Sequence, residues 1–520
     1  MPRQAWARLL LLLFVLAGTA WSQDKDDKNV DAKAAAKVSV DANLAIRKAE
    51  KAMGDVKSIR YSGTGTWGVL GMNWNPTSPW HTTDVSSYTR TIDYPSASSA
   101  EEVTRAQQNP PMLGGEAPFV DEINEGLRVS GRYAWDQPVY AHPTPPPDVI
   151  HPAPADADER SLKIWLTPHG FLKAAAKNHA TAEAGEEAGN KVTILTFMQG
   201  NHKIVGTIDH RNMVIKVETW VANPVLGDMP VETAYTDYKD FSGVKFPTHI
   251  VEKQGGLATL DLNVTNAQAN IENAALQVPE KVLQASIPPQ RVTSEKMADG
   301  VWFLRGGANS VLVEFNDFVA VVDAPLSEAR SIAVIAEVKK LVPDKPIKYV
   351  VNTHHHFDHS GGLRTYVAEG ATVITHEGNK AFYEWAWKQP RTLEPDKLAE
   401  NPKEAAFITY KNKYLLSDGS RSLEVHLDLG DNHDEFLSFA YLPKEKILIE
   451  ADDFSDRYAT KMSLGLWNNL YGNLQRLNLD VVTIAPLHGP ITPMSEWLKM
   501  LREGTEGEKA PPDFDKPVAP

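Results

Sequence analysis

The sequence predicts a β-rich N-terminal region followed by an α/β region, and three observations carry this prediction. The chain has 520 residues, whereas single domains rarely exceed roughly 250 to 300 residues. Short strand-like runs separated by Gly, Pro and Asn succeed one another up to residue 290. Beyond that point strand-like and helix-like segments alternate. We therefore expect one domain over residues 41–290 and a second over residues 291–503.

The first residues have the pattern of a secretory signal peptide. Arg3 and Arg8 precede an apolar run over residues 9–17, and small residues follow it. A membrane anchor is the alternative, but this run is shorter than the roughly 20 residues that cross a bilayer. We expect a signal peptide over residues 1–22, and hence a periplasmic or secreted protein without a transmembrane segment in its mature form.

Composition limits the kinds of partner and site. The net charge of −14 disfavours binding to phosphate backbones, so we expect no nucleic-acid partner. The absence of cysteine excludes disulfides, thiolate ligands and cysteine nucleophiles, so any metal must be bound through nitrogen and oxygen atoms. Residues 23–40, charged and rich in alanine, indicate a linker. Residues 504–520, rich in Pro, Glu and Asp, indicate a disordered tail.

The first predicted domain begins with a helix and continues as a sheet. Asp41 is placed to cap a helix over residues 43–53. The proline-rich segment 143–154 is expected to be an excursion or linker, because prolines at that density do not lie inside a sheet. This region resembles the curved sheet and helix of periplasmic lipoprotein-carrier domains, which implies binding of a lipid or protein partner. The runs that predict a meandering antiparallel sheet occupy residues 191–198, 202–210, 213–221 and 258–264.

The second predicted domain alternates strands with helices, which indicates sheets covered by helices. Ser327 is expected to cap the first of these helices and Pro343 to end it. A second helix is expected from a Ser360 cap to Gly370. The predicted strands span residues 310–315, 318–325, 347–352, 371–375, 446–451 and 480–486, with a further helix over residues 463–477.

A cluster of histidines and one aspartate follows the strand at 347–352. The segment THHHFDHSGG contains His354, His356, Asp358 and His359 within six residues. Residues two apart in extended backbone point the same way, so His354 and His356 can bind one ion while Asp358 and His359 turn towards a neighbouring position. A polar loop with satisfied histidines is the alternative, but so many clustered imidazoles favour a zinc-type metal.

This segment resembles the HxHxDH signature of the metallo-β-lactamase-fold superfamily, and the similarity extends over residues 291–502. It implies an αββα sandwich. In the family the signature follows a strand that ends in Asp, as VVDAP does here with Asp323. The family role of such a carboxylate implies that Asp323 orients a ligand imidazole through a hydrogen bond.

The resemblance also implies ligands further along the chain. His433 is the expected third ligand of the first metal; His426 is the alternative, but it lies within a strand-like alternation. Asp452 is expected to bridge two metals, with Asp453 as the alternative, because Ala451 stands where the family usually has glycine. His488 matches the last ligand, although Leu487 replaces a common glycine before it.

By this resemblance, His354, His356 and His433 would hold one zinc ion and Asp358, His359 and His488 a second, with Asp452 between them. Iron and manganese are the alternative metals. An aspartate in place of a bridging cysteine is more similar to the glyoxalase, lactonase and sulfatase branches. His355 is expected to face away or to contact a ligand, and His376 to start a helix or pack.

The implied function is an exported metal-dependent hydrolase, in which a zinc-bound hydroxide cleaves a small ester, lactone, amide or sulfate ester. Asp358 would orient the water and accept its proton. The alternatives are an iron-dependent redox member of the fold and a non-catalytic lipid-binding or protein-binding module with a structural metal site. Structural zinc sites are normally closed and four-coordinate, which disfavours the last alternative. Candidate pocket aromatics, for which helix packing is the alternative role, are Trp385, Trp387, Tyr458 and Trp467.

Overall fold

Asp41 starts the first helix as the sequence predicts, because its side chain accepts a hydrogen bond from the backbone N–H of Leu44 at 3.0 Å. The computed structural model describes residues 40–115, 122–138, 149–454 and 463–505. The predicted signal peptide, nearly all of the linker and the tail beyond residue 505 lie outside these ranges. Among the described residues, every helix is too short or too polar to cross a membrane.

The described residues belong to one compact unit, and the predicted domain boundary at residues 290 and 291 stays a prediction. We call residues 40–290 the first region and residues 291–505 the second region. In the first region the described helices are α1 (Ala42–Met53), α2 (Ala157–Leu166), α3 (Pro168–Lys177) and α4 (Glu280–Leu283). Its strands are β1 (Ser58–Val69), β2 (His81–Asp93), β3 (Ser98–Ala106), β4 (Ile123–Ser130), β5 (Tyr133–Asp136), β6 (His151–Pro152), β7 (Thr181–Glu187), β8 (Asn190–Gln199), β9 (His202–Ile208), β10 (Val214–Asn223), β11 (Gly227–Phe241), β12 (Val244–Gln254) and β13 (Leu257–Ala269).

The strands of the first region form a large antiparallel sheet, so the predicted β-rich meander is confirmed. The sheet consists of two meanders, β1 to β6 and β7 to β13, which meet where β1 pairs with β13. Helices α1, α2 and α3 pack against it around buried residues such as Phe171, Leu195 and Phe246. Sequence analysis did not predict α2 and α3. The resemblance to lipoprotein carriers stays a prediction.

The expectation that the proline-rich segment 143–154 lies outside the sheet is wrong for the last residues of the segment. Residues 139–148 lie outside the described ranges, but His151 and Pro152 form the two-residue strand β6 at the edge of the sheet. Proline is tolerated there because an edge strand leaves one row of N–H groups unpaired in any case.

Two smaller sheets form the centre of the second region. The first, in sequence order, contains β14 (Thr293–Ala298), β15 (Val301–Arg305), β16 (Ser310–Glu314), β17 (Val319–Val322), β18 (Ile347–Val351), β19 (Thr372–His376) and β20 (Phe407–Tyr410). The second contains β21 (Lys413–Ser417), β22 (Ser422–Leu427), β23 (Ser438–Leu442), β24 (Ile447–Glu450), β25 (Thr483–Pro486) and β26 (Thr492–Pro493). The described helices are α5 (Glu328–Leu341), α6 (Phe357–Ser360), α7 (Leu363–Glu369), α8 (Glu377–Ala386), α9 (Lys397–Glu400), α10 (Ser463–Arg476) and α11 (Met494–Thr505).

These elements form the four layers of an αββα sandwich, as predicted. Val351 and Ile449 lie in the core between the two sheets. Helices α5 and α7 cover the outer face of the first sheet with Val334 and Leu363. Helices α10 and α11 cover the second sheet with residues such as Trp467.

The predicted start of the second helix at a Ser360 cap is wrong. Ser360 ends the short helix α6, and its hydroxyl donates to the backbone carbonyls of His355 and His356. The chain then continues through Gly361 and Gly362, where an added Cβ would lie 2.2 Å from a backbone oxygen and 2.0 Å from a serine hydroxyl. Only glycine fits this approach, so α7 starts after the pair.

Parallel pairing decides where the site forms. Strands β17, β18 and β19 pair in parallel, and so do β24 and β25. Parallel strands end at the same edge of their sheet, which is where α/β proteins bind ligands. The residues that follow these strand ends are Asp323, His354, Asp452 and His488.

Candidate metal centre

Asp323 organises the turn that carries the histidine cluster. Its φ of 61° lies in the left-handed region, a costly conformation for a non-glycine residue. Its carboxylate accepts hydrogen bonds from the backbone N–H and the hydroxyl of Thr353, both at 2.8 Å. It also accepts a bond from Nδ1 of His359 at 2.6 Å. Asp323 therefore fixes the chain before the first ligand and the ring of a later one.

The first group of candidate ligands consists of His354, His356 and His433. One ring nitrogen from each lies within 4.8 Å of the others, and all three side chains are buried. Nδ1 of His356 lies 2.9 Å from Nε2 of His433. The loop between β22 and β23 holds His433, because Asp431 accepts a hydrogen bond from its backbone N–H at 2.6 Å.

The second group consists of Asp358, His359, Asp452 and His488, again with one atom each inside 4.8 Å. Nε2 of His488 lies 2.8 Å from Nε2 of His359 and 3.0 Å from a carboxylate oxygen of Asp358. Asp452 lies between the two groups. Its carboxylate is 2.9 Å from His359, 3.4 Å from His488, 3.2 Å from His354 and 3.5 Å from His433.

Hydrogen bonds decide which nitrogen of each ring faces the centre. The Thr353 hydroxyl donates to Asp323, so Nδ1 of His354, at 3.1 Å, donates to that hydroxyl. This leaves the lone pair of His354 on Nε2. Nδ1 of His359 donates to Asp323, which leaves its lone pair on Nε2 as well. In each of these two rings, the N–H points to a partner outside the centre, so the unprotonated nitrogen faces the centre.

Burial favours the neutral form of two of the imidazoles, whereas Asp452 outweighs burial and raises the pKa of His359 and of His433. Burial holds the pKa of His354 well below its usual range, and burial together with His433 lowers the pKa of His356 to about 3. Burial alone would raise the pKa of Asp452, but His359, His433 and His488 outweigh it and hold that pKa well below its usual range. Neutral imidazoles and ionised carboxylates are the forms in which these side chains bind metal.

The donors fit zinc-type ions. They are imidazole nitrogens and carboxylate oxygens, which zinc accepts in tetrahedral or five-coordinate sites. Nε2 of His354, Oδ1 of Asp358 and Oδ2 of Asp452 are buried without a hydrogen-bond partner. Buried polar atoms normally have a partner, so these inward-facing atoms point to a cation.

The structure separates the ligand candidates from their sequence neighbours. Asp453 turns away from the centre, where burial and Asp428 hold its pKa well above its usual range. His426 lies in β22, 2.9 Å from Glu424, and stacks on Phe439. Asp452 and His433 therefore face the centre, and their alternatives do not.

Of the remaining histidines, His355 forms a third buried group of possible ligand atoms with His356 and Asp434, again within 4.8 Å of one another. His355 lies between Asp434, 2.5 Å from its Nδ1, and Asn73, 3.0 Å from its Nε2. His376 starts α8, because its Nδ1 accepts from the N–H of Gly378 at 3.2 Å.

The candidate pocket aromatics pack away from the ligands or lie outside the described residues. Trp387 stacks on Tyr383 and Phe407. Trp467 is buried against Phe454. Trp385 is half exposed, and Tyr458 lies outside the described ranges.

Two residues beside the candidate ligands, Asp434 and Asn73, were not predicted from the sequence. Asp434 directly follows His433 and is fully buried; a carboxylate next to a ligand was a usable signal. Asn73 comes from the loop between β1 and β2, and its backbone oxygen lies 2.9 Å from Nε2 of His356. Nothing in the sequence links these two positions.

Part of the second region matches a known family, and solved structures with low identity are similar to part of the chain. Residues 304–440 match the family model of the metallo-beta-lactamase superfamily, which confirms the recognition made from the HxHxDH signature. A metallo-beta-lactamase from Pontibacter korlensis is similar at 22% identity with a TM-score of 0.32, over 41% of this chain and 99% of its own. The metallo-beta-lactamase FIM-1 from Pseudomonas aeruginosa, in a mono-zinc form, is similar at 18% identity and a TM-score of 0.32, over 42% of this chain and 97% of its own. No curated protein has a significantly similar sequence.

Proposed function

We propose, from the premise that residues 304–440 belong to the metallo-beta-lactamase superfamily, that this chain is an exported metal-dependent hydrolase. Its substrate class would be a small ester, lactone, amide or sulfate ester, and its metal would be zinc, as two ions. One observation carries the proposal. Seven side chains converge in two adjoining groups, with Asp452 between them.

Each group has a distinct role in this proposal. His354, His356 and His433 would hold one ion and Asp358, His359 and His488 the other, with Asp452 available to both. Bound zinc lowers the pKa of a coordinated water to about 7 and polarises the oxygen of the scissile group. A closed structural site needs only four ligands, so seven support a site with room for substrate.

Asp358 is the group that would handle the proton. Its Oδ2 lies 3.0 Å from Nε2 of His488, while its Oδ1 is buried without a hydrogen-bond partner. The low pKa of this carboxyl, where His359 outweighs the effect of burial, keeps it ionised. Oδ1 is therefore placed to orient the attacking water and to take its proton.

A cavity beside His433 supports a small substrate. Its volume is about 190 Å³, and apolar side chains line it, among them Met112, Leu113 and Leu466. His81 forms part of the same wall. Burial lowers the pKa of His81 to about 4, so at neutral pH it offers the substrate a neutral ring.

The test combines metal analysis with a substrate screen. The purified protein is assayed for bound zinc, iron and manganese, then screened on ester, lactone, amide, β-lactam and alkyl-sulfate substrates with and without chelator. We expect zinc and a chelator-sensitive activity that added zinc restores. Full activity of the metal-free protein on its best substrate would overturn the proposal, and stoichiometric iron would favour the redox alternative. Export is tested by sequencing the N-terminus of the mature protein, which should begin close to residue 23.

A second candidate function, ligand carriage by the first region, is favoured by a separate cavity of about 380 Å³ between its sheet and helices. Tyr88 and Phe246 line it together with the ion pair of Lys163 and Glu252, whose charged atoms lie 3.1 Å apart. Aromatic walls with a few buried charges are typical of amphipathic-ligand sites. We expect saturable binding of a fluorescent fatty acid that Phe246→Trp weakens; a linear, unsaturable signal would exclude this function.

A further inference from the structure

The loop between β1 and β2, residues 70–80, lies against both chain segments that carry the first group of ligands. Its Trp74 carbonyl accepts a hydrogen bond from the N–H of Glu435 at 2.7 Å, and the Trp74 ring N–H donates to the carbonyl of Asp431. Trp80 packs edge-on against Phe357 at 5.8 Å between ring centres. Glu435 and Asp431 flank the ligand His433, and Phe357 directly follows the ligand His356.

Asn73, at the centre of this loop, contacts the ligand segment with both its backbone and its side chain. Its carbonyl accepts from Nε2 of His356 at 2.9 Å, and its Oδ1 accepts from Nε2 of His355 at 3.0 Å. Its amide nitrogen donates to the carbonyls of Asn75, at 2.6 Å, and Ser78, at 3.2 Å. The side chain is 3% exposed, so the loop is closed on itself while its acceptors face the histidines.

The bond to His356 decides the tautomer of that ligand. A neutral imidazole carries one N–H, and the carbonyl of Asn73 fixes it at Nε2. The lone pair then lies on Nδ1, which is the atom 2.9 Å from Nε2 of His433. Without this acceptor, His356 is free to carry its proton on the atom that faces the centre.

We propose that Asn73 is a positioning residue, through which the first region sets the tautomer of His356 and thereby the metal affinity of the centre. This inference rests on the metal site of the proposed function. Residue 73 lies far outside the family match, which begins at residue 304. The metal affinity therefore depends on a part of the chain that the matched family segment does not contain.

Two variants of the loop test the proposal. Asn73→Ala removes the acceptor for His355 and the two bonds that hold its own carbonyl in place. Gly71→Ala displaces the loop from outside, because an added Cβ would lie 2.4 Å from the ring of Phe357. Gly71 has a φ of +80°, so the substitution also strains the backbone.

Gly189→Ala is the matched control. Gly189 has a φ of +78° and nothing within 4 Å of the position of an added Cβ. It lies in the turn between β7 and β8, so it imposes the same backbone strain without touching the loop. A difference between Gly71→Ala and Gly189→Ala therefore reports a change in the contact between residues 70–80 and the ligand segment around Phe357.

Three quantities are measured on the full chain: zinc affinity by competition with a chelator, the absorption spectrum of the cobalt-substituted protein, and the unfolding temperature of the metal-free protein. We expect Asn73→Ala and Gly71→Ala each to weaken zinc binding by roughly 10- to 100-fold, as losses of outer contacts to ligand histidines do. Their cobalt spectra should change, and those of Gly189→Ala should not.

Unchanged zinc affinity and cobalt spectra in both loop variants would overturn the inference, even if the metal-free proteins melt earlier, because the loop would then be only structural. If Asn73→Ala does not fold, Gly71→Ala decides. The hydrolase proposal fails differently: the unmodified protein would bind zinc as tightly as expected, with the loop variants weaker, and yet hydrolyse no substrate.

Discussion

In the first region each described strand pairs antiparallel with its neighbours in the sheet, whereas the second region contains the parallel pairs β17–β18, β18–β19, β19–β20 and β24–β25. An antiparallel meander sends successive strand ends to opposite edges. Parallel strands end together, and the side chains that follow them meet. This explains how His354, Asp452 and His488 come together, whereas His433 comes from a loop between the antiparallel strands β22 and β23. Among the described residues, the larger sheet provides no candidate ligand.

The first region reaches the centre by a different route, through a loop. Residues 70–80 accept a hydrogen bond from one ligand and brace the segments around others. A second contact between the regions, called the second seam below, consists of hydrogen bonds of Asp228 and Arg391. Asp228 accepts from the backbone N–H of Thr392, and Arg391 donates to the carbonyls of Asn223 and Val225. The second region thus supplies the candidate ligands, and the first region supplies contacts to the segments that carry them.

The largest predicted loss of activity distinguishes Asp452 from its neighbour Asp453 in the second region. Asp452→Asn replaces a carboxylate that lies within 3.5 Å of four histidines. Loss of an outer contact to a ligand costs roughly 10- to 100-fold, so loss of a ligand should lower kcat/KM by more than about 100-fold. Asp453→Asn should leave the metal content unchanged, because Asp453 faces Asp428 instead. Metal analysis and steady-state kinetics measure both variants; the reverse order would exchange the two assignments.

A smaller effect is expected on the free energy of unfolding when the core of the first region is altered, without a change in the zinc affinity of the centre. Phe171 is fully buried, and Phe171→Ala should lower the free energy of unfolding by about 3–5 kcal/mol, since it leaves a cavity. Zinc affinity under native conditions should not change. Phe303→Ala, in the core between the two sheets of the second region, is the counterpart and should cost a similar amount. Urea unfolding followed by tryptophan fluorescence measures both; two separate transitions would show that the regions unfold independently.

Most of the candidate centre could be predicted from the sequence. The HxHxDH segment contains four candidate ligands, and the resemblance to the metallo-β-lactamase-fold superfamily implied His433, Asp452 and His488, each of which lies near an apolar strand. The choice between Asp452 and Asp453 could not be made in this way, because both carboxylates occupy one turn and only the side-chain direction separates them. The Ser360 cap was wrong because the tight approach of two glycines, and not a hydroxyl, starts α7.

The structure of the first region was less predictable, because its strands show only an alternation of apolar and polar residues and contain no diagnostic motif. The helices α2 and α3 were missed although Pro168, at the first position of α3, was an available signal. Asn73 could not have been found, because 283 residues separate it from His356 and one asparagine in a turn has many ordinary explanations. Long-range contacts of this kind depend on how loops pack rather than on any local pattern.

The third prediction concerns pH and a histidine of the first region. Burial, together with Lys173, lowers the pKa of His169 from 6.5 to about 4, although a backbone bond to Met53 opposes the shift. Between these values the unfolded chain is protonated and the folded chain is not, so stability falls as the pH decreases from 6.5 towards 4. The slope from this residue approaches about 1.4 kcal/mol per pH unit. His169→Phe, whose ring can stack on Phe246 as the imidazole does, should remove that part of the slope in urea titrations. If the stability of the variant fell with decreasing pH as steeply as that of the unmodified protein, His169 would not be the source of this slope.

The smallest effect tests the second seam between the regions. The carboxylate of Asp228 accepts from the N–H and hydroxyl of Thr392, at 2.9 and 2.6 Å, and from the N–H of Leu393 at 3.1 Å. Burial would raise the pKa of Asp228, but these bonds outweigh it and lower that pKa, so the stabilisation is present at neutral pH and is lost as the pH falls below the ordinary range of a carboxyl. The bonds are partly exposed to solvent, so Asp228→Ala should cost only about 1 kcal/mol, and Asp228→Asn, which keeps one acceptor, should cost less. Because the hydrogen-bond partners of Asp228 are Thr392 and Leu393 and not the candidate metal ligands, neither variant should alter zinc affinity. A loss of zinc affinity in Asp228→Ala would mean that the whole contact between the regions, and not the loop alone, holds the ligands in place.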